Sequence, residues 1–168
     1  MTNTPVEKAF TIDTSSIKFG PGITNEAGFE LSRLDAKRVM VVTDRKMADS
    51  HAVKSATESL RREGIDHTIF DQVSVEPTDD SLKNAISFAI EGNFDGFLPV
   101  GGGSSIDTAK AANLYSTYPG DFLEYVNAPI GKGTPVPGDL KPLVAVPTTI
   151  GTGSETTGVA IFDFKDIG

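Results

Sequence analysis

Gly101, Gly102 and Gly103, followed at once by Ser104, Ser105, Ile106 and Asp107, form the part of this chain best suited to chemistry. With no Cβ in the way, the backbone of such a triplet can lie directly against a ligand. Ser104 and Asp107 stand three residues apart, the spacing of a capping box, so a helix is expected to begin here. A helix start offers N–H groups without intrahelical acceptors and the positive end of the helix dipole, an anion site suited to a pyrophosphate. The segment is neither G-x-G-x-x-G nor G-x-x-x-x-G-K-[ST], since Lys110 falls inside the expected helix. Taken alone, it also suits a tight strand-to-helix turn with a good cap.

A second segment, Pro147 to Glu155 (PTTIGTGSE), sets Thr148, Thr149 and Thr152 among two glycines after another expected strand. Hydroxyls of this kind suit phosphate or ribose oxygens, although a polar turn would use them as well. In an open α/β sheet, ligands bind beyond the carboxyl ends of the strands, so both loops are expected to face one crevice. Asp44 closes an earlier strand, where a carboxylate can accept from a ribose 2′-hydroxyl and repel a 2′-phosphate, favouring NAD over NADP. His51 and His67 lie far from both loops in sequence and read as surface residues, and Asp79, Asp80 and Glu63 read as helix-end charges. No nucleophile elbow or Ser/His/Asp set is present. The sequence therefore assigns no catalytic residue and no metal ligand within the chain.

These residues need elements to hold them. Arg38 to Thr43 (RVMVVT) reads as a fully buried strand, and His51 to Glu63 as a helix with Val53, Ala56 and Leu60 on one face. Asp66 to Val73 follows as a second strand. Thr78 to Glu91 places Leu82, Ala85, Ile86, Ala89 and Ile90 on one helical face, with Gly92 as its stop. Phe94 to Val100 is a third strand running into the glycines, and a helix from about Ser105 to Tyr115 is expected next. Residues 116 to 140, rich in Pro and Gly, predict a long ordered loop. Pro142 to Val146 and Val159 to Phe164 are further strand candidates, and Phe10 to Phe19 suggests an edge strand or hairpin. Strands alternating with helices predict βαβ units and a parallel sheet in one α/β domain spanning residues 1–168. The sequence ends at Gly168 directly after an expected strand and with no closing helix, which is unusual for a complete α/β domain.

Composition narrows the function classes. A formal net charge of −8 opposes nucleic-acid binding, because phosphates would be repelled. The absence of cysteine removes disulfides, thiolate nucleophiles and cysteine-ligated metals. No window approaches the ~18 apolar residues of a membrane span. The start, MTNTPVEKAFTIDTSS, lacks both a basic stretch followed by an apolar one and Arg-rich amphipathic character, so a cytoplasmic location is expected.

Four segments together resemble the iron-containing (group III) alcohol dehydrogenases: Val42-Thr43-Asp44, Glu76-Pro77-Thr78, Gly101 to Lys110 (GGGSSIDTAK) and Pro147 to Glu155. Ala9 to Gly20, Asp121 to Gly133 and Glu155 to Asp163 are similar to its hydroxyacid-oxoacid transhydrogenase branch. The resemblance implies a Rossmann-like, mostly parallel sheet with flanking helices, the N-terminal domain of a fold shared with dehydroquinate synthase. It implies that Asp44 meets the adenosine ribose of NAD, and that Gly101, Gly102, Gly103 and Ser104 meet the pyrophosphate. Asp107, Thr148, Thr149, Thr152 and Thr157 would line the path to the nicotinamide. A divalent metal, iron or zinc, is implied only for the full-length family member, where an Asp and three His of a helical C-terminal half hold it. The implied substrate is a small alcohol or hydroxy acid such as 4-hydroxybutyrate, with a 2-oxo acid as hydride acceptor. Glu76 departs from the Asn of many members. These readings predict cofactor binding without turnover for the 168 residues alone, and a tendency to self-associate as a homo-oligomer. The alternative is a non-catalytic nucleotide-binding module from a truncated gene.

Overall fold

The computed structural model describes residues 15–165. A 3-10 turn at Ile23–Glu26 leads into α1 (Ala27–Arg33), and then β1 (Arg38–Val42), α2 (His51–Arg62), β2 (Asp66–Phe70), α3 (Asp79–Gly92), β3 (Gly96–Gly101), α4 (Gly103–Thr117) and β4 (Val146–Pro147) follow. The strands form one parallel sheet in the order β2-β1-β3-β4. Chain direction across the sheet reverses after β2, so right-handed crossovers must send α2 to one face and both α3 and α4 to the other. The packing agrees: α1 lies against α2, and α3 against α4.

Both faces are covered, which is why β1 reads as an unbroken apolar run. Val39 and Val41 enter one layer with Leu31, Ala56, Leu60 and Leu98, while Met40 and Val42 enter the other with Phe70, Ala85, Phe97, Ala109 and Ala112. Local signals fix the helix starts. The Ser50 hydroxyl accepts the Val53 N–H at 3.2 Å, and Thr78 and Ser81 form a reciprocal capping box. The Lys83 ammonium beside Asp79 holds its carboxyl below the usual carboxylate range. In the last turn of α4, Tyr115 donates to the Phe122 carbonyl at 2.5 Å, and burial pushes its phenol up to about 12.

Several expectations are corrected. The segment 142–147 does run beside β3, with Phe97 N–H donating to the Pro142 carbonyl and Val144 N–H to that of Phe97. It is only half-buried, and regular pairing is confined to Val146–Pro147, because prolines at 142 and 147 bring no N–H to a ladder. Val159 to Phe164 is no strand of the sheet. It crosses the start of α3 through a single bridge, with Asp163 N–H on the Pro77 carbonyl and Asp79 N–H on that of Asp163. Of the expected N-terminal strand, residues 10–14 lie outside the described residues, and 15–19 form none, with Ile17 and Phe19 exposed. At the end of α3 the left-handed residue is Asn93 (φ 47°), not Gly92. Gly92 is required for another reason: a Cβ there would stand 2.0 Å from the Phe94 ring. Residues 121–134 are an ordered loop closed on itself by backbone bonds such as Lys132 N–H to Leu123 and Thr134 N–H to Glu124.

Candidate functional site

β3 ends at Gly101, Gly102 is the N-cap of α4, and Gly103 is its first residue. Gly102 makes no side-chain cap, so the helix start is capped by no hydroxyl. The expected capping box of Ser104 and Asp107 does not form, because the Ser104 hydroxyl donates instead to the Val75 carbonyl. The helix begins two residues earlier than Ser104 as its cap would have placed it. The first N–H groups of α4 therefore lack both intrahelical acceptors and a side-chain cap, as an anion site requires.

The second loop closes against the first. β4 pairs Pro147 with Gly101, and Thr148 N–H donates to the Gly101 carbonyl at 2.9 Å. A Cβ on Gly102 would stand 3.1 Å from the Thr149 hydroxyl; one on Gly103 would meet Ser154 Oγ at 3.1 Å and Thr152 Cβ at 3.3 Å. A Cβ on Gly101 would lie 2.3 Å from Ser105 Oγ. The three glycines thus serve close backbone approach, since none has a positive φ.

A cleft of about 370 Å³ opens between these loops, lined by Asp44, Val73, Val75, Gly102, Gly103, Ser104, Ser105, Thr149 and Thr152. Six residues singled out by sequence meet there: Asp44, Gly102, Gly103, Ser104, Thr149 and Thr152. Asp44 Oδ1 accepts the N–H groups of Lys46 at 2.8 Å and Met47 at 3.1 Å, which orients the carboxylate at the rim. Gly101 is buried at the end of β3, and Thr148 stands at the root of the second loop. Asp107 is buried one turn into α4, its Oδ1 3.3 Å from Lys110 Nζ and its Oδ2 accepting Ile161 N–H at 3.2 Å. Thr157 is exposed and meets Lys110 Nζ at 3.3 Å. Sequence reasoning missed the cleft's apolar walls, Val73 and Val75, because a valine in a connecting segment carries no signal of what it faces. It also missed Lys110, whose i,i+3 spacing from Asp107 was the available sign.

A larger open depression of about 480 Å³ lies beside α2, where His51, Lys54, Arg61 and Ile69 are among its lining. It shares no residue with the glycine cleft, and of the two we place the site at the cleft, where the start of α4, the Thr149 and Thr152 hydroxyls and the strand-end carboxylate of Asp44 converge.

A sequence model of the family described as iron-containing alcohol dehydrogenase matches residues 14–167. The mitochondrial hydroxyacid-oxoacid transhydrogenase of Bos taurus is 56% identical over 160 residues, 95% of this chain and 34% of that protein. Its Homo sapiens counterpart is 53% identical with the same coverage. The chain thus spans about a third of the length of the curated relatives it matches. Among solved structures, an alcohol dehydrogenase from Oenococcus oeni superposes with a TM-score of 0.81 at 30% identity, over 94% of this chain and 41% of that one. A 1,3-propanediol oxidoreductase superposes at 0.82 and 29%, over 94% and 40%.

The iron in the family's name finds no holder among the described residues, where no three His, Cys, Asp or Glu side chains converge. His51 sits on α2 and His67 on β2, neither in the cleft. The cleft suits a dinucleotide, because the start of α4, uncapped by any side chain, lies there beside the hydroxyls of Thr149 and Thr152 and the Asp44 carboxylate. No helix among the described residues is long and apolar enough to cross a membrane.

Proposed function

Because this chain belongs to the iron-containing alcohol dehydrogenase family, we propose that it is the NAD-binding part of an oxidoreductase acting on alcohols or small hydroxy acids. The observation that carries this reading is the convergence of the Gly102–Ser105 helix start, Thr149, Thr152 and Asp44 on one cleft. The pyrophosphate takes the first N–H groups of α4, where negative charge is stabilised by the helix dipole. Asp44, with Oδ1 held by two N–H groups, offers its other oxygen to a ribose diol. A 2′-phosphate would bring further negative charge against that carboxylate, so NAD is favoured over NADP. Val73 and Val75 supply apolar wall for the adenosine end, while Thr149 and Thr152 face the rest of the cofactor.

By likeness to relatives named hydroxyacid-oxoacid transhydrogenase, the substrate is a small hydroxy acid such as 4-hydroxybutyrate, with a 2-oxo acid taking the hydride. When bound, a divalent metal, iron or zinc, would polarise the alcohol oxygen. The described residues offer it no ligand set, so the 168 residues alone are expected to bind cofactor and not to turn over. A cytoplasmic location belongs to this proposal; the cited relatives are mitochondrial, and fractionation of cells expressing the full-length protein separates the two.

The test is a titration of NADH into the purified chain, following nicotinamide emission against the low background of a protein without tryptophan, with NADPH in parallel. Saturable binding that prefers NADH, with the preference narrowed in Asp44→Ala, is the expected result. Equal affinity for both cofactors would remove the role given to Asp44, and binding of neither would overturn the reading.

A further inference from the structure

Lys110 lies on the second turn of α4, its side chain only 19% exposed, and it is not among the residues lining the cleft. Its Nζ reaches three oxygens: the Val159 carbonyl at 2.8 Å, the Thr157 hydroxyl at 3.3 Å and Asp107 Oδ1 at 3.3 Å. Asp107 in turn takes Ile161 N–H on Oδ2. One ion pair, on one turn of one helix, thus grips the chain at residues 157, 159 and 161. That stretch is the direct continuation of the Thr148–Glu155 loop, whose Thr152 and Ser154 press on Gly103 at the start of the same helix.

The loop between is otherwise lightly held. It is exposed at Thr148, Thr149, Ile150, Gly151 and Thr152, and its near end is tied by Thr148 N–H to Gly101. An exposed loop with positive φ at Gly151 and Gly153 has wide conformational freedom unless both ends are fixed. A half-buried ammonium bonded to a backbone carbonyl is a strong anchor, because each partner left without the other would be desolvated and unpaired.

We propose that Lys110 is a positioning residue: with Asp107 it clamps the far end of the Thr148–Glu155 loop to α4, and so sets the width of the nucleotide cleft without touching the nucleotide. The inference rests on the dinucleotide reading above and adds the device that preorganises its second wall. Lys110→Met keeps the stem and removes the ammonium. Lys110→Arg keeps charge and donors and serves as the rescue.

The experiment pairs NADH titration with amide hydrogen exchange of the free chain. For Lys110→Met, NADH affinity is expected to fall on the order of tenfold, a change of ~1.4 kcal/mol. Exchange is expected to quicken at residues 148–161 while the amides of β1 and β3 keep their protection, and Lys110→Arg should recover both. Loss of protection spread evenly over β1 and β3 would make Lys110 a general fold residue and overturn the proposal. So would unchanged NADH affinity in a chain whose loop amides have become unprotected. If the unmodified chain binds no NADH, the dinucleotide reading fails; exchange at 148–161 then still decides whether the clamp exists, and unchanged exchange there removes it.

Discussion

At the scale of single residues, the glycine triplet separates two demands that are often confused. None of the three needs a left-handed backbone, so each is glycine for the space it leaves. Gly103 is the informative one. Alanine is worth ~1 kcal/mol more than glycine within a helix, which favours the folded state. Its Cβ would stand 3.1 Å from Ser154 Oγ and 3.3 Å from Thr152 Cβ, so these neighbours must give by a few tenths of an ångström. Both belong to a partly exposed loop and can move. The strain is then relieved by displacing the second wall of the cleft and not by unfolding. Gly103→Ala is accordingly expected to leave the melting temperature level or slightly higher, while NADH affinity falls about tenfold or more, an error in placement being costly at a preorganised site. Calorimetry and titration of the same sample check it, and a parallel loss of stability and binding would refute the separation.

At the scale of elements, the sequence was legible where one physical demand dominated. β1 and the buried faces of α2 and α3 were readable because burial on both sides of a parallel strand, or on one face of a helix, leaves an unmistakable apolar pattern. The regions that misled answered to tertiary partners. Val159 to Phe164 has the residues of a strand, but its hydrogen bonds go to the start of α3 and to Asp107. Ser104 has the type and spacing of a cap, yet its hydroxyl is drawn to the Val75 carbonyl. Of the ten residues named for the cofactor, the six lining the cleft sit on the two loops and the β1 end; Asp107 and Thr157 instead serve the Lys110 clamp. Gly28 is a further case that no pattern announced. It sits in α1 where α1 crosses α2, and its N–H donates to Ser59 Oγ at 2.9 Å. A Cβ there would fall 2.3 Å from the Ser59 carbonyl oxygen and 2.7 Å from Leu60 N, both backbone atoms. Helix propensity favours Gly28→Ala by ~1 kcal/mol, whereas overpacking a rigid contact costs ~1–3 kcal/mol and more when backbone must shift. The clash wins, and a net loss of about 2 kcal/mol is expected in urea denaturation. A neutral or stabilising result would mean that α1 slides freely on α2.

At the scale of the whole molecule, charge and apolar exposure oppose each other. Ile150 is 102% exposed, Val75 78%, Ile161 72% and Val159 54%. All four hang from the first turns of α4: Val75 through Ser104, Ile150 beside Thr149, and Val159 and Ile161 through Lys110 and Asp107. Val75 lines the cleft, and exposed apolar side chains drive association where they join into a surface of a few hundred Å². Against this stands a net charge of −8, whose repulsion is felt over a Debye length of ~10 Å at 0.1 M salt and ~3 Å at 1 M. Salt should therefore decide the balance. Sedimentation velocity is expected to show mostly monomer at low ionic strength and concentration-dependent association as salt is raised, the opposite of what an ion-pair interface would give. Replacing Val159 and Ile161 together by Lys should return the high-salt sample toward monomer, since both side chains are exposed. A chain that stays monomeric across concentration in 1 M salt would show that these exposed side chains are too few to drive association. Association that persists undiminished in the double variant would move the contact to another surface.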